Sequence, residues 1–338
     1  CLHKVKEMDQ VLSKIAQLNE IGIALSAATD VDVLCDKILT GAMALTGADG
    51  GSLYKMSEDR TSLEFVIVTT YSLDIHMGGC SGHEIRFPAI PLMVNGQPNK
   101  SNVVSSAVHD EHTINLTDAY HAEGFDFSGT RKFDQQTGYR TQSILTIPLT
   151  DHHKEIIGVL QLINAMDEAT GETREFSKAD QQLAESLSSQ AAVAITNNRL
   201  IEEQRELFEA FIKLMASAID EKSPYTGGHC KRVPELTMMI ADACHDSQSE
   251  ALKDFRMTEK DRYELTIAGW LHDCGKVTTP EYVVDKATKL ETIYDRINTV
   301  DTRFEVLKRD ATIDCMQQKI ERLSKDSASD CSDLDDQL

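Results

Sequence analysis

From Ser177 to about Lys222 the chain contains neither proline nor glycine, a run of about 45 residues. Nothing in it breaks a helix, and at 1.5 Å per residue it would reach ~68 Å, well beyond the diameter of a small domain. A chain with such an element is expected to hold one folded part before it and another after it. Leu187, Ala194, Ile201, Phe208 and Met215 recur every seven positions, with Ala191, Ile212 and Ile219 on the companion positions and Asn198 and Arg205 as breaks. This seam predicts a parallel homodimeric coiled coil over 187–219, within a connecting helix at 181–222. A continuous helix can carry a twist or register change that a flexible linker would absorb. The alternative is that the first half of the helix packs on the preceding sheet and no dimer forms.

Before the helix the hydrophobic period changes twice. Val11, Ile15, Leu18, Ile21 and Leu25 carry the spacing of an amphipathic helix over 4–25. Asp30 is suited to cap a second helix, Val31–Leu45, and Gly47 to close it. Runs rich in Val, Ile, Leu and Thr follow at Ser52–Met56, Glu64–Tyr71, Thr113–Leu116, Ser143–Leu149 and Glu155–Asn164, separated by Gly, Asp and Asn. Two helices, several strands and a closing helix predict an α+β domain with a mainly antiparallel sheet flanked by helices, over 14–180, behind an N-terminal helix at 1–13.

Charge narrows the partners. The 34 basic and 55 acidic side chains leave −21, which argues against nucleic acid and against an anionic membrane surface. Eight cysteines are scattered without a CxxC pair, a pattern that suits a reducing cytoplasm. No apolar run approaches the ~20 residues that span a bilayer. The chain begins at Cys1 inside what reads as a running helix, and is expected to be a piece of something longer.

After the long helix, Ser223-Pro224 is expected to stop it, and Thr226 to start another that carries His229 near its first turn. On that helix Leu236, Ile240 and Ala243 are expected to face inward. Pro234 would bend it unless it starts nearby. Downstream, Leu265, Ala268 and His272 share one helical stripe, Asp273 follows, Gly275 is placed to end the helix in a left-handed turn, and Lys276 comes next. An imidazole and a carboxylate side by side on an inward helix face need a partner. A bound divalent metal would supply one, with His229, His272, Asp273 and Glu221 as the ligand set on successive helices. A core histidine beside a capping aspartate is the plainer reading.

Two resemblances extend these readings. Phe133-Asp-Gln-Gln-Thr-Gly-Tyr-Arg-Thr-Gln-Ser-Ile-Leu-Thr-Ile-Pro-Leu149, Ile157-Gly-Val-Leu-Gln-Leu-Ile-Asn164, Phe176-Ser-Lys-Ala-Asp180 and Gln190-Ala-Ala-Val-Ala-Ile195 resemble a GAF domain, most of all those of cyclic-nucleotide phosphodiesterases. The resemblance implies a pocket for a cyclic nucleotide or another small ligand, with Asn164, Phe176 and Asp180 as remnants of the nucleotide signature. That signature has a Lys where Ala165 stands and a Glu where Gln181 stands, so its Lys–Asp ion pair is not expected. His109, His112 and His121 fall in the variable region over the expected pocket, where some GAF sensors hold haem; exposed loop histidines are the commoner case.

The span from Glu221-Lys-Ser-Pro-Tyr-Thr-Gly-Gly-His229 through Trp270-Leu-His-Asp-Cys-Gly-Lys-Val-Thr-Thr-Pro280 to Lys289-Leu290 resembles the HD superfamily of metal-dependent phosphohydrolases, closest to its HD-GYP branch. This implies an all-α domain, here 223–310, that hydrolyses cyclic di-GMP with iron or manganese. His229, His272 and Asp273 would be ligands, Asp273 bridging two ions; Glu221 would serve a further ion and Lys276 would contact phosphate. Asp273 and Lys276 are thus the expected catalytic pair. No histidine follows His272 and no Gly-Tyr-Pro is present, so only the front half of such a domain is expected, ahead of a polar helix, Ala311–Leu323, and an acidic, disordered tail within 311–338. A non-catalytic signalling or scaffold protein is the alternative. A nucleotide phosphohydrolase of the wider superfamily is a further one; it needs one later aspartate from Asp295, Asp301 or Asp310.

Overall fold

The computed structural model describes residues 2–28, 30–167, 169–221, 228–284, 286, 288–291, 294–325 and 332. The chain divides into two compact units, 1–204 and 205–338, with the boundary inside one helix.

The first unit opens with α1 (Leu2–Ser26) and α2 (Val31–Thr46). The expected cap is in place: the Asp30 side chain accepts hydrogen bonds from the amides of Asp32 and Val33, and Gly47 closes the helix at φ 69°. Strands β1 (Ala48–Met56), β2 (Ser62–Thr70) and β3 (Ile75–Gly78) follow, then the two-residue strands β4 (Ile90–Pro91), β5 (Met93–Val94) and β6 (Gln97–Pro98). Next come α3 (Val103–Asp110), β7 (Ile114–Leu116), α4 (Ser128–Thr137), β8 (Ile144–Thr150), β9 (Ile156–Met166) and β10 (Thr173–Arg174). The main sheet runs β3-β2-β1-β9-β8-β7, with β4 on β2 and β10 on β9, every pairing antiparallel.

Alternation along the strands assigns each face its work. Leu53, Leu145, Leu160 and Leu162 enter the main core under α2 and the first part of α5 (Lys178–Glu221). Tyr54, Val159 and Ile144 point to the other face, where two smaller apolar clusters form with α3 and Phe127. The five strands expected from the sequence are all present, each within a few residues of its expected ends.

The seven-residue seam expected along α5 is not free as drawn. Leu187, Ala191 and Ala194 are buried in the first unit's core, and Ile212 and Ile219 are buried within the second unit. The apolar residues that stay exposed are Val193, Leu200, Leu207 and Leu214, again seven apart, flanked by Ile201, Phe208 and Phe211.

The second unit adds α6 (His229–Asp246), α7 (Glu259–Leu271), the single turn α8 (Glu281–Val284) and α9 (Ile297–Lys325). The packed face of α6 is Cys230, Pro234 and Ala241; Leu236 and Ile240, expected inside, are exposed, as is Ala243. Pro234 lies in the second turn of a helix that begins at His229, and α7 rests on it. On α7 the expected stripe is displaced by one residue: Ala268 is exposed and Gly269 buried. Gly275 does not turn left-handed; after Leu271 the chain continues through His272 and Asp273 into a 3-10 turn, Cys274–Thr278. The expected polar helix at Ala311–Leu323 is part of the longer α9, which buries only Cys315. Ser223, Pro224 and Thr226, and 326–331 and 333–338 of the expected disordered tail, lie outside the described residues. Among the described residues no helix is long and apolar enough to cross a membrane.

Candidate metal site and small-molecule cavity

His229 and His272, 43 residues apart in sequence, come together because α6 and α7 approach closely at one glycine. A Cβ on Gly269 would lie 3.1 Å from the Pro234 Cα, so only glycine lets α7 sit this near. The start of α6 is held as well: the Cys230 amide donates to the Asp220 carboxylate at 3.2 Å, and Ala216, Ile219, Cys230 and Trp270 form an apolar floor. Burial, and after it the same Asp220, pushes the Cys230 thiol up to about 11, which keeps it protonated.

The resulting group has three converging ligand atoms. His229 Nε2 stands 3.1 Å from His272 Nε2 and 3.4 Å from Asp273 Oδ2, and His272 Nε2 stands 3.3 Å from that oxygen. Two ligands of one tetrahedral ion, at bonds near 2.0 Å, stand about 3.3 Å apart. The three edges therefore match one face of such a polyhedron. The His272 Nδ1 lies 2.6 Å from the Gly269 carbonyl oxygen, which places the proton on Nδ1 and leaves the Nε2 lone pair for the group. The donor set of two imidazole nitrogens and one carboxylate fits a divalent transition ion.

Lys276 Nζ donates to Asp273 Oδ2 at 2.7 Å. Burial raises the Asp273 carboxyl, but Lys276 and the two imidazoles outweigh it and hold it below the usual carboxylate range. Among the described residues no further His, Cys, Asp or Glu joins the three. Glu221 is exposed at the end of α5, outside the group. Asp295 caps the start of α9 through the Ile297 amide, and Asp301 and Asp310 are exposed along that helix. Gly269, Asp220 and Trp270 support the group in ways that residue spacing alone does not reveal. A glycine inside an apolar helix is the one signal in the sequence for close packing there.

The first unit has a cavity of about 320 Å3 on the sheet face opposite the main core. Tyr54, Phe65 and Phe87 form an aromatic ladder along it, with ring centroids 4.5 and 5.4 Å apart. Gln161 and Thr141 supply polar atoms from the sheet side, and Asn102 and Asp126 stand at the starts of α3 and α4. His109, His112 and His121 do not converge on it. Each has its own local partner: the Leu92 carbonyl, the Asp110 carbonyl and the Asp118 carboxylate.

Asn164, Phe176 and Asp180 do not line this cavity either. Asn164, at φ 56°, pins the 140–142 segment: its side chain donates to the Arg140 carbonyl and accepts from the Gln142 amide, both at 2.7 Å. Phe176 is buried in the main core. Asp180, only 2% exposed, has cationic partners after all: Arg174 at 2.6 Å and Lys14 at 3.3 Å, besides Ser177. Arg174 is the cross-strand partner of Ala165 on β9. The cation that position 165 lacks is supplied by the residue directly opposite, so Asp180 has an ion pair without the signature's Lys.

The first unit is thus an antiparallel sheet with a helical core on one face and a half-open cavity on the other. Residues 30–195 match the family model of the GAF domain, and that span is a GAF domain. Over 178 residues the chain is 29% identical to the cGMP-specific 3',5'-cyclic phosphodiesterase of Drosophila sechellia, covering 51% of this chain and 13% of that protein. The enzyme of the same name from Drosophila virilis is 27% identical over 173 residues, 51% of this chain and 18% of that protein. The chain thus matches less than a fifth of the length of these relatives. Among solved structures, the GAF domain of a phosphoenolpyruvate-protein phosphotransferase from Coxiella burnetii aligns with 57% of this chain and 98% of its own, at 14% identity and TM-score 0.43. A GAF domain/HD domain protein from Geobacter sulfurreducens aligns with 52% and 98%, at 18% identity and TM-score 0.38.

Proposed function

We propose that the GAF domain is the sensor of a metal-dependent phosphodiesterase of the HD-GYP type, acting on cyclic di-GMP, and that the second unit carries part of its metal site. The observation that supports this is the His229–His272–Asp273 group, with ligand-to-ligand spacings of a coordination face and one imidazole already oriented by the Gly269 carbonyl. Iron or manganese bound there would polarise a phosphoryl oxygen and fix the diester for attack. The protein's own part is to present two Nε2 lone pairs and the Asp273 carboxylate, and to keep Lys276 beside that carboxylate, within reach of an incoming phosphate.

A two-ion phosphodiesterase holds its ions about 3.5–4 Å apart, each with several protein ligands. Three ligand atoms suffice for one ion. The chain is therefore expected to bind about one equivalent of manganese or ferrous iron, weakly, and to turn over cyclic di-GMP negligibly. Metal content after dialysis, compared between the wild type, His272→Ala and Asp273→Ala, tests the site. Equal content in all three would remove it, and brisk hydrolysis abolished by Asp273→Ala would show that other residues complete a second ion's shell.

A further inference from the structure

A cluster of a different kind lies in the first unit, where α2, the β2–β3 pair and the turn after β3 meet. Cross-strand pairing sets Thr69 opposite His76, and Thr69 Oγ1 lies 3.2 Å from His76 Nδ1. At the far side of the ring, His76 Nε2 lies 3.2 Å from Asp36 Oδ1, on α2. That contact is close without being a hydrogen bond, for Asp36 Oδ1 is enclosed and has no hydrogen-bond partner. A carboxylate oxygen shut off from water and left without a donor is costly unless a cation meets it.

The chain then folds back over this carboxylate. The 3-10 turn Gly79–Ser81 brings the Cys80 amide to 2.6 Å from Asp36 Oδ2, and the Cys80 thiol lies beside the same carboxylate. Gly79 has φ 49°, and a Cβ on it would stand 2.7 Å from Asp36 Oδ2, so only glycine permits the approach.

We propose that Asp36 Oδ1, His76 Nε2 and Cys80 Sγ bind a divalent ion of the zinc class, with water in the fourth position. His76-Met-Gly-Gly-Cys80 supplies two ligands with three residues between them, and α2 supplies the third. A proton on Nδ1, donated to the Thr69 hydroxyl, keeps the Nε2 lone pair for the ion. The ion displaces the thiol proton to solvent, so the metal–thiolate bond forms as the S–H bond breaks. Among the described residues only the His229 group already holds its ligand atoms within 4.8 Å of one another. Here the Cys80 thiol turns about its Cα–Cβ bond to close the site, and it is exposed. The soft sulfur favours zinc or cobalt over manganese, unlike the nitrogen and oxygen donors of the His229 group. This site is independent of the phosphodiesterase reading.

Cobalt titrated into the full chain tests the assignment, because a cobalt–thiolate bond gives a near-ultraviolet charge-transfer band that imidazole and carboxylate ligands do not. All samples carry Asp273→Ala, which removes a ligand of the His229 group. About one equivalent of cobalt is expected to bring up the band. Cys80→Ser should abolish it, and His76→Ala or Asp36→Asn should weaken binding by about tenfold or more. In the unsubstituted chain zinc should slow alkylation of Cys80 by about tenfold or more while leaving Cys244 unchanged, a reading that needs no variant to fold. Absence of the band, its survival in Cys80→Ser, or alkylation of Cys80 at one rate with and without zinc overturns the site.

Discussion

Asp180 shows how one buried charge fixes a strand end. Its carboxylate is almost wholly enclosed and is met by Arg174, Lys14 and the Ser177 hydroxyl and amide. Burial alone would raise its pKa; the Arg174 and Ser177 hydrogen bonds outweigh that and bring it below the usual carboxylate range. A depressed folded-state pKa contributes stability above the unfolded value, about pH 4, and that contribution is lost as pH falls further. Arg174→Ala leaves the enclosed carboxylate with Lys14 as its ionic partner and is expected to cost about 2–3 kcal/mol at neutral pH. The loss should shrink below about pH 4, where the wild type surrenders the same interaction. Because Ala165 stands directly opposite Arg174, Ala165→Lys placed in the Arg174→Ala background should recover much of the stability. Urea denaturation of the wild type and both variants at pH 7 and pH 3.5 checks this; an Arg174→Ala as stable as the wild type at pH 7 would show the pair to be idle.

Among the elements, the α6–α7 pair decides whether the metal group exists. Both helices were legible from their periodicity, but the choice of face was not. Leu236 and Ile240 are the most apolar residues of α6 and remain exposed, because the contact is made instead by the flat ring of Pro234 against Gly269. His272 lies three residues beyond Gly269 and donates from Nδ1 to that glycine's carbonyl oxygen, so displacement of the backbone there moves the ligand directly. Gly269→Ala adds a methyl at 3.1 Å from the Pro234 backbone. Overpacking of about 1–3 kcal/mol would be offset by about 1 kcal/mol of helix propensity, leaving a modest net loss. Gly269→Val should cost more. In both, manganese affinity is expected to fall further than stability does, the valine variant more than the alanine; a metal affinity unchanged in Gly269→Val would detach the close approach from the site.

Across the whole molecule, α5 offers a repeat that neither unit uses. Val193, Leu200, Leu207 and Leu214 are 52, 46, 71 and 67% exposed, and their seven-residue spacing is what a second copy of the same helix would match. Self-association through this stripe is therefore proposed in place of the seam through Leu187 and Ala194. Sedimentation at micromolar concentration should give about twice the monomer mass, and Leu207→Asp should return it to monomer, whereas Leu187→Asp should unfold the first unit instead. A wild type that stays monomeric at high concentration removes the proposal.

The two kinds of information part along physical lines. The Asp30 cap, the Gly47 stop, the five principal strands and the unbroken span of α5 depend on interactions between near neighbours in the chain, and these could be read directly. The pairing of His229 with His272-Asp273 was likewise open to reading, because few side-chain types can hold a metal and they stand in a recognisable order. Which face of α6 packs, which cation meets Asp180, and which of two interleaved seven-residue repeats on α5 stays exposed were settled elsewhere. Each turns on contacts between segments that only folding brings together: Pro234 with Gly269, Ala165 with Arg174, and Leu187 with the sheet. Burial goes to the surface that fits closest, and fit is a property of two elements at once.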